Sequence, residues 1–441
     1  MIINDTIVAP ATPTGGAIAI VRIEGGRAIA ICQELFRSSR GPLADLKGYS
    51  ATYGVIYDGD RRIDDVIVTL FREPHSYTGG DMVEIACHGS AYIVGEIVRL
   101  AIEKGARAAS AGEFTKRAFL AGKIDLSQAE AVADIIAADS MASLTMADTQ
   151  LRGAYSDALS RLRGELLRLA ALLELELDFS EEDVEFADRG ELTTILETID
   201  QHITSLSSSF KTGNAIKRGV AVAIVGEPNV GKSTLLNRIV GEERAMVSDI
   251  AGTTRDSIEE SVVIDGVRFR FIDTAGLHQT DDRLENMGIE RTHKAIEQAQ
   301  IIVEMFEQKS EDFVTLKEGQ HIVRVINKCD IEGTVIPEGW VGISAKYDRG
   351  IEGLLGAIRG CVDTNDLLRG EAVVSNSRHY EALIRAHQAL MRATDALTAG
   401  ISTDLVAQDI REVLAIIGEI TGEVTSTDIL SEIFSKFCIG K

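Results

Sequence analysis

The stretch Val220–Thr234, VAVAIVGEPNVGKST, decides the fold. Ala221 to Val225 are small or β-branched and fit a short buried strand. Gly226, four intervening residues that include Asn229 and Val230, then Gly231, Lys232, Ser233 and Thr234 follow. After them Leu235, Leu236, Ile239 and Val240 recur at helical spacing. Strand, glycine loop and helix form the context in which this spacing makes a phosphate cradle. The glycines let backbone N–H groups approach anionic oxygens, and the helix N-terminus favours them. Lys232 is placed for the β- and γ-phosphates and the Ser233 hydroxyl for Mg²⁺. The alternative, a plain glycine turn, is disfavoured by the rarity of the match and by both flanks.

Downstream, four more stretches come in the order that a GTPase needs. Gly252-Thr253-Thr254-Arg255-Asp256 offers a hydroxyl, best Thr254, to complete a Mg²⁺ shell; in isolation it reads as a Thr-rich turn. Phe269 to Ile272 is a predicted strand ending in Asp273-Thr274-Ala275-Gly276, where the aspartate holds Mg²⁺ through water and Gly276 offers its N–H. His321 to Ile326 is another, ending in Asn327-Lys328-Cys329-Asp330. The Asp330 carboxylate only accepts hydrogen bonds, so it suits the ring N–H and exocyclic amine of guanine and is left unpaired by adenine. Val341 to Lys346 ends a further strand with Ser344-Ala345-Lys346, where the Ala345 N–H meets the guanine carbonyl. Each short motif is weak alone; five in order, each after a strand, specify a guanine nucleotide. Leu277 follows Gly276, where many small GTPases place a water-orienting Gln. Hydrolysis therefore either is very slow or needs another group, on the charged stretch Asp281 to Glu290, or a positive charge from Arg255 or a monovalent cation.

The chain has 441 residues, 45% of them hydrophobic and 26% charged, with a net charge of −23. That is a globular composition with room for two to four domains. So acidic a chain is a poor unaided binder of a phosphate backbone, and any nucleic-acid role needs a basic strip or a partner. The five cysteines are odd in number, widely spaced and without a CxxC pair, which argues against a disulfide scaffold and a structural zinc site. The N-terminus lacks a basic segment and no apolar run approaches a membrane span, so neither a signal peptide nor a transmembrane helix is expected and a cytoplasmic protein is. Residues 1–120 look α+β, with strands over Ile18 to Ile23, Asp65 to Phe71 and Asp81 to Ala86. Arg22 and Glu84 fall inside such runs, either as edge charges facing water or as part of a small-ligand pocket; His88 reads as a structural histidine. From 121 to 216 the pattern is helical, and Leu151, Tyr155, Leu159, Leu162, Leu166, Leu169 and Leu173 form one stripe on one long helix. Residues 365–441 return to that character, with a stripe of Tyr380, Leu383, Ile384, His387, Leu390 and Met391. The expected architecture is multidomain: an α+β N-terminal domain (1–120), and a helical bundle (121–216 and 365–441) interrupted by an inserted α/β Ras-like P-loop domain (217–364).

DTIVAPATP at Asp5–Pro13, YTGGDMVEIACHG at Tyr77–Gly89, GEFTKRAFLAGKIDLSQAEAVADII at Gly112–Ile136, GEPNVGKSTLLN, DIAGTTRD at Asp249–Asp256, DTAGLH, MGIER and the terminal FCIGK at Phe437–Lys441 together resemble the MnmE (TrmE) family of bacterial tRNA-modification GTPases over essentially the whole length. The resemblance implies a homodimer formed through N-terminal domains similar to folate-dependent one-carbon proteins. It implies 5-formyl- or methylene-tetrahydrofolate there, on Arg22, Glu84, Lys123 and Lys441, with Cys438 as a catalytic candidate. In the GTPase domain it implies K⁺ on Asn229, Ser248, the Ile250 backbone and Thr253, alongside Mg²⁺ on Ser233 and Thr254. The nucleotide-contacting stretch then extends through Asp249, Ala251 and Gly252. Glu285 matches the family's catalytic acid and fills the gap left by Leu277. The implied partner is the flavoprotein MnmG (GidA), acting with this subunit on carbon 5 of the wobble uridine of certain tRNAs, with much of the tRNA contact on the partner. The chain departs from the family in the short loop Thr14-Gly15-Gly16, at His278 and in the length of Glu304 to His321. A GTPase switch or ribosome-assembly factor without one-carbon chemistry is the competing reading; the N-terminal residues and Cys438 separate the two.

Overall fold

The computed structural model describes residues 5–178, 189–244, 259–272, 293–310, 314–365, 369–424 and 426–440. The chain divides into two compact units, Met1–Ala133 with Gly418–Lys441, and Asp134–Ile417.

The first unit is built on a seven-stranded sheet in the order β3-β4-β5-β6-β2-β1-β7. Its strands are β1 (Ile7–Pro10), β2 (Ile18–Glu24), β3 (Phe36–Arg37), β4 (Ser50–Asp58), β5 (Arg61–Phe71), β6 (Met82–His88) and β7 (Arg107–Ala108). Strict alternation along β2 and β5 sends Ala19, Val21, Ile23, Val66, Val68 and Leu70 to one face. There they meet α1 (Ala28–Leu35) and α2 (Ala91–Glu103) in one apolar core. The opposite face presents Arg22 of β2 directly across from Glu84 of β6. Helix α3 (Glu113–Leu120) follows, and then α4 (Leu126–Ala137). Phe434 and Phe437, from the C-terminal end of the chain, share a cluster with Leu126 and Ala129.

The second unit holds a six-stranded sheet, ordered β13-β12-β11-β8-β10-β9. Its members are β8 (Val220–Gly226), β9 (Glu259–Ile264), β10 (Val267–Ile272), β11 (Ile301–Phe306), β12 (His321–Ile326) and β13 (Val341–Gly342). All neighbours are parallel except β9 with β10. The central strand β8 is buried from Val220 to Val225, as a parallel strand covered on both faces must be. P-loop and strand-end motifs at the C-terminal edge of such a sheet are the arrangement in which α/β folds bind ligands.

Two helical expectations are corrected. The apolar stripe from Leu151 to Leu173 is not on one helix: Leu151 ends α5 (Met141–Leu151), and α6 (Ala154–Asp178) begins after Gly153, whose φ of +100° stops the first helix. Tyr155, Leu159, Leu162, Leu166, Leu169 and Leu173 are nevertheless all buried on α6. On helix Ser377–Thr398 the buried face runs through Ala382, Leu383, Ala386, Ala389, Leu390 and Ala393, whereas Met391 is exposed. The small alanines permit close approach to α7 (Arg189–Arg218), where Phe210 stacks on Tyr380 at 4.3 Å.

Candidate nucleotide and small-ligand sites

Strand β8 leads into Glu227-Pro228-Asn229-Val230-Gly231, and Lys232 begins α8 (Lys232–Arg244). Gly231 has φ +104°, and a Cβ there would lie 2.3 Å from Asn327 Nδ2, so this position excludes every side chain. Asn229 also takes a left-handed φ, +63°, while Val230 is buried and pins the loop to the core. The Lys232 ammonium donates to the carbonyls of Gly226 (2.9 Å) and Glu227 (2.8 Å), folding back over the loop. Burial lowers its pKa, which a neighbouring polyphosphate would offset. Ser233 and Thr234 are exposed in the first turn of α8, where hydroxyls and free N–H groups point out of the helix.

Asn327 follows β12 and is 4% exposed. Its Nδ2 donates to Val230 O at 2.7 Å, and its Oδ1 accepts the Ala345 N–H at 3.1 Å. One amide therefore ties the phosphate loop to the Ser344-Ala345-Lys346 segment. The same segment is closed on itself by Ser344 N–H to Arg349 O (2.9 Å) and tied back by Cys329 N–H to Ile343 O (3.0 Å). Asp330 stands exposed beyond it, and the Ser344 hydroxyl beside it holds its carboxyl below the ordinary range, so it is an acceptor at neutral pH. Lys328, at φ +61°, pairs with Glu307. An open cleft of about 490 Å³ lies between α8 and this segment, lined by Thr234, Asn237, Arg238, Gly241, Ala345 and Lys346. Thr234, in the first turn after the phosphate loop, and Ala345 with Lys346 form facing walls of this cleft, but the Ala345 N–H expected to meet a guanine carbonyl is here donated to Asn327 Oδ1.

In the first unit, Arg22 donates through Nε (2.9 Å) and Nη2 (2.7 Å) to Glu84 Oε1, and through Nη1 to the carbonyl of Gly440 (3.1 Å). Its guanidinium lies 5.3 Å from the Phe114 ring centroid and 5.8 Å from that of Tyr77. Tyr77 is fixed by a hydrogen bond to the buried Thr115 hydroxyl (2.9 Å). Both Arg22 bonds fall on one Glu84 oxygen, which leaves Oε2 open to a donor among the described residues. Lys123 Nζ donates to Pro74 O at 3.1 Å and lies on the rim of the same unit. The C-terminal segment reaches the site by an antiparallel bridge between Ala111 and Ile439 and by Gly112 N–H to Cys438 O (3.4 Å). Cys438 is exposed. His88 is instead held by Asp64, ring Nδ1 to Oδ1 at 2.7 Å, which accounts for it structurally.

A profile of the MnmE helical domain matches residues 126–438, and one of the GTP-binding protein TrmE N-terminus matches residues 6–123. The tRNA modification GTPase MnmE of Flavobacterium johnsoniae is 47% identical over 466 residues, covering 100% of both chains. The chain belongs to the MnmE family. The MnmE of Bacteroides thetaiotaomicron is 46% identical across 99% of this chain and 100% of its own, and that of Porphyromonas gingivalis 47% across 99% and 98%. Among solved structures, a variant of the GTPase Era from Aquifex aeolicus with GDP and aluminium fluoride aligns with 38% of this chain and 66% of its own, at 27% identity and a TM-score of 0.25.

As an MnmE-family member the chain is a GTP-binding enzyme with a P-loop GTPase domain. The structure brings together Asn229 to Thr234, Asn327, Lys328, Asp330 and Ser344 to Lys346, and separately Arg22, Glu84 and the Cys438–Gly440 tail. Ser248, Asp249, Ile250, Ala251, Gly252, Thr253, Thr254, Asp273, Thr274, Ala275, Gly276, Glu285 and Lys441 lie outside the described residues. Sequence reading missed Tyr77, Phe114 and the Gly440 carbonyl as site components. Tyr77 and Phe114 fell inside quoted motifs, but nothing in those motifs said that they would face Arg22.

Proposed function

We propose that this chain is the GTP-hydrolysing subunit that, with a flavoprotein partner of the MnmG (GidA) kind, modifies carbon 5 of the wobble uridine of certain tRNAs, using a tetrahydrofolate one-carbon unit. The relatives' printed activity, tRNA modification GTPase, supports the reaction class. The observation that carries the one-carbon reading is the docking of the C-terminal tail onto Arg22, beside an open Glu84 oxygen and the Tyr77 and Phe114 rings. A carboxylate with a free acceptor, a guanidinium and aromatic faces fit the amino-pyrimidine edge and flat ring of a pterin. Lys123 and Lys441 are the cations for its glutamate tail, and Cys438 is the candidate thiol. A bound 5-formyl- or methylene-tetrahydrofolate would supply the one-carbon group.

In the second unit, Asn229 to Thr234, Ser248 to Thr254, Asp273 to Gly276, Asn327, Lys328, Asp330 and Ser344 to Lys346 bind the nucleotide. The exposed hydroxyl of Ser233 at the helix start fits Mg²⁺, with Thr254 as its second hydroxyl. The exposed Asn229, held at positive φ in the loop, fits a hard monovalent cation, with Ser248, Ile250 and Thr253 completing a K⁺ site. Glu285 orients the attacking water in place of the Gln that Leu277 displaces. Residues 1–120, 121–216 with 365–441, and 217–364 are the folate-binding, helical and GTPase domains. Exposed apolar side chains on the seven-stranded sheet, Ile18, and Tyr53 opposite Ile67, support a homodimer through the first domain. No described helix is long and apolar enough to cross a membrane, in keeping with a role on cytoplasmic tRNA. Nucleoside analysis of tRNA from cells lacking this chain tests the reading. Loss of the 5-substituted wobble uridine is expected, and an unchanged nucleoside profile returns the chain to a GTPase switch without one-carbon chemistry.

A further inference from the structure

Glu24 stands two residues after Arg22 on β2, so it points to the same face of the sheet as the guanidinium of the small-ligand site. It is 5% exposed, and both of its oxygens are taken. Oε1 accepts from the buried Thr78 hydroxyl at 3.1 Å, and Oε2 accepts from Arg117 Nη1 at 2.7 Å. The loop that carries Thr78 lies against this carboxylate: a Cβ on Gly80 would stand 2.9 Å from Oε1. Arg117 is itself buried on α3, where it also donates to the Asp5 carbonyl (3.0 Å) and to Asp5 Oδ1 (2.7 Å). The two partners of Glu24 lead to the two rings beside Arg22. Thr78 follows Tyr77 directly, and Arg117 lies one helical turn beyond Phe114 on α3. A third link joins the loop to the helix, between Tyr77 Oη and Thr115 Oγ1 at 2.9 Å. Phe114 packs with Ile7 and Ala9 of β1, and Tyr77 rests on the same cluster. Ile7 is the register partner of Glu24, and Ala9 that of Arg22. One carboxylate thus anchors the loop and the helix to the strand from which Arg22 projects.

We propose that Glu24 is a positioning residue for the small-ligand site. Through Thr78 it sets Tyr77, and through Arg117 it sets Phe114, so that both rings stand at a fixed distance from the Arg22 guanidinium. The role rests on the one-carbon reading of that site, in which the rings meet the flat pterin of a tetrahydrofolate. Desolvation offsets much of the attraction within a buried ion pair, so the contribution of this one is to geometry.

The test is isothermal titration of the full chain with 5-formyl-tetrahydrofolate, with a thermal melt to show that each variant is folded at the titration temperature. Glu24→Gln removes the charge from a buried partner of Arg117 and endangers the fold, so variants of Thr78 carry the test. Thr78→Val keeps the shape of the side chain and removes its hydroxyl. It is expected to weaken binding about two- to tenfold, the range that one net hydrogen bond supplies. Thr78→Ser keeps the hydroxyl, removes a methyl group and should bind as the parent does. Arg22→Ala, which removes a ligand group outright, should weaken binding by more than Thr78→Val. Loss in Arg22→Ala with parental affinity in Thr78→Val overturns the positioning role and leaves the site standing. Equal weakening in Thr78→Ser and Thr78→Val overturns the role too, since the methyl group and not the link to Glu24 would then matter. No binding by the parent, or parental affinity in Arg22→Ala, overturns the one-carbon reading of the site and the role with it.

Discussion

Asn327 Nδ2 donates to the carbonyl of Val230 at 2.7 Å, so the loop after β12 is bolted to the phosphate loop after β8 through a single side chain. With its oxygen on the Ala345 N–H, that amide is held from both ends and keeps one N–H and one lone pair beyond these two bonds. Its work is to hold the two ends of the nucleotide cleft at a fixed separation. Asn327→Ala leaves a buried carbonyl and a buried N–H unpaired, at about 1–3 kcal/mol each. GTP and GDP affinity should fall at least about tenfold, and the melting temperature should drop, as read by fluorescent-nucleotide titration and a thermal melt.

Asp330 sits beyond that bolt as an exposed acceptor, its carboxyl held below the ordinary range by the Ser344 hydroxyl beside it. Asp330→Asn replaces one acceptor oxygen with a donor. GTP should bind more weakly and xanthosine triphosphate more tightly, since the latter presents a carbonyl in place of the exocyclic amine. Competition between the two nucleotides measures it; unchanged GTP affinity would remove the basis for guanine recognition.

Glu285 is expected to orient the attacking water, since Leu277 cannot. Glu285→Ala should lower kcat by about 10²- to 10⁴-fold and leave GTP affinity nearly unchanged. The parent chain should turn over faster in KCl than in NaCl at equal ionic strength. Equal rates in the two salts would remove the cation from the account and return attention to Arg255.

Gly440 has φ +97°, and a Cβ on it would stand 2.0 Å from Pro10 O and 3.0 Å from Ala11 Cα. Both are backbone atoms that cannot swing away. Gly440→Ala should lift the tail off Arg22, and tetrahydrofolate affinity should weaken by about 5- to 100-fold, the range that strain of this kind costs. Isothermal titration with 5-formyl-tetrahydrofolate reads it. Parental affinity would mean that the tail is not part of the ligand site.

Glu113 belongs to a cluster with Arg107, Arg117, Asp5 and Glu24. Burial alone would raise its carboxyl, but the Arg107 hydrogen bonds and those from Ser110 outweigh it and bring the value down to about 2. A folded value below the ordinary 4.5 means that Glu113 stabilises fully above that pH and loses its contribution as pH falls toward about 2. Glu24 opposes it: burial raises its carboxyl, so it takes up a proton earlier on the way down. Glu113→Gln should melt at a lower temperature than the parent at pH 7, and the gap should close as pH drops below 4.5. A gap that is constant with pH would show that its charge does not matter.

The sequence by itself determined the nucleotide half of this protein. A phosphate loop is a local object: strand, Gly226, Gly231, Lys232 and Ser233 lie within one short stretch, and their chemistry follows from backbone geometry over a few residues. The strand ends at Asn327 to Asp330 and Ser344 to Lys346 were legible for the same reason. What only the tertiary structure decided was long-range. Helical periodicity does not distinguish one helix from two in phase, so the break at Gly153 was hidden by a stripe that runs across it. It also cannot choose between Met391 and the alanines beside it, because close packing against α7 favours small side chains over apolar ones as such. Taken by itself, Arg22 read more readily as an edge charge facing water than as a ligand group until β2 and β6 were paired. Only the fold brings Glu84, 62 residues away, and the carbonyl of Gly440, 418 residues away, onto one guanidinium. Such pairings are set by strand register and by the return of the chain's end to its beginning, and no local pattern encodes either.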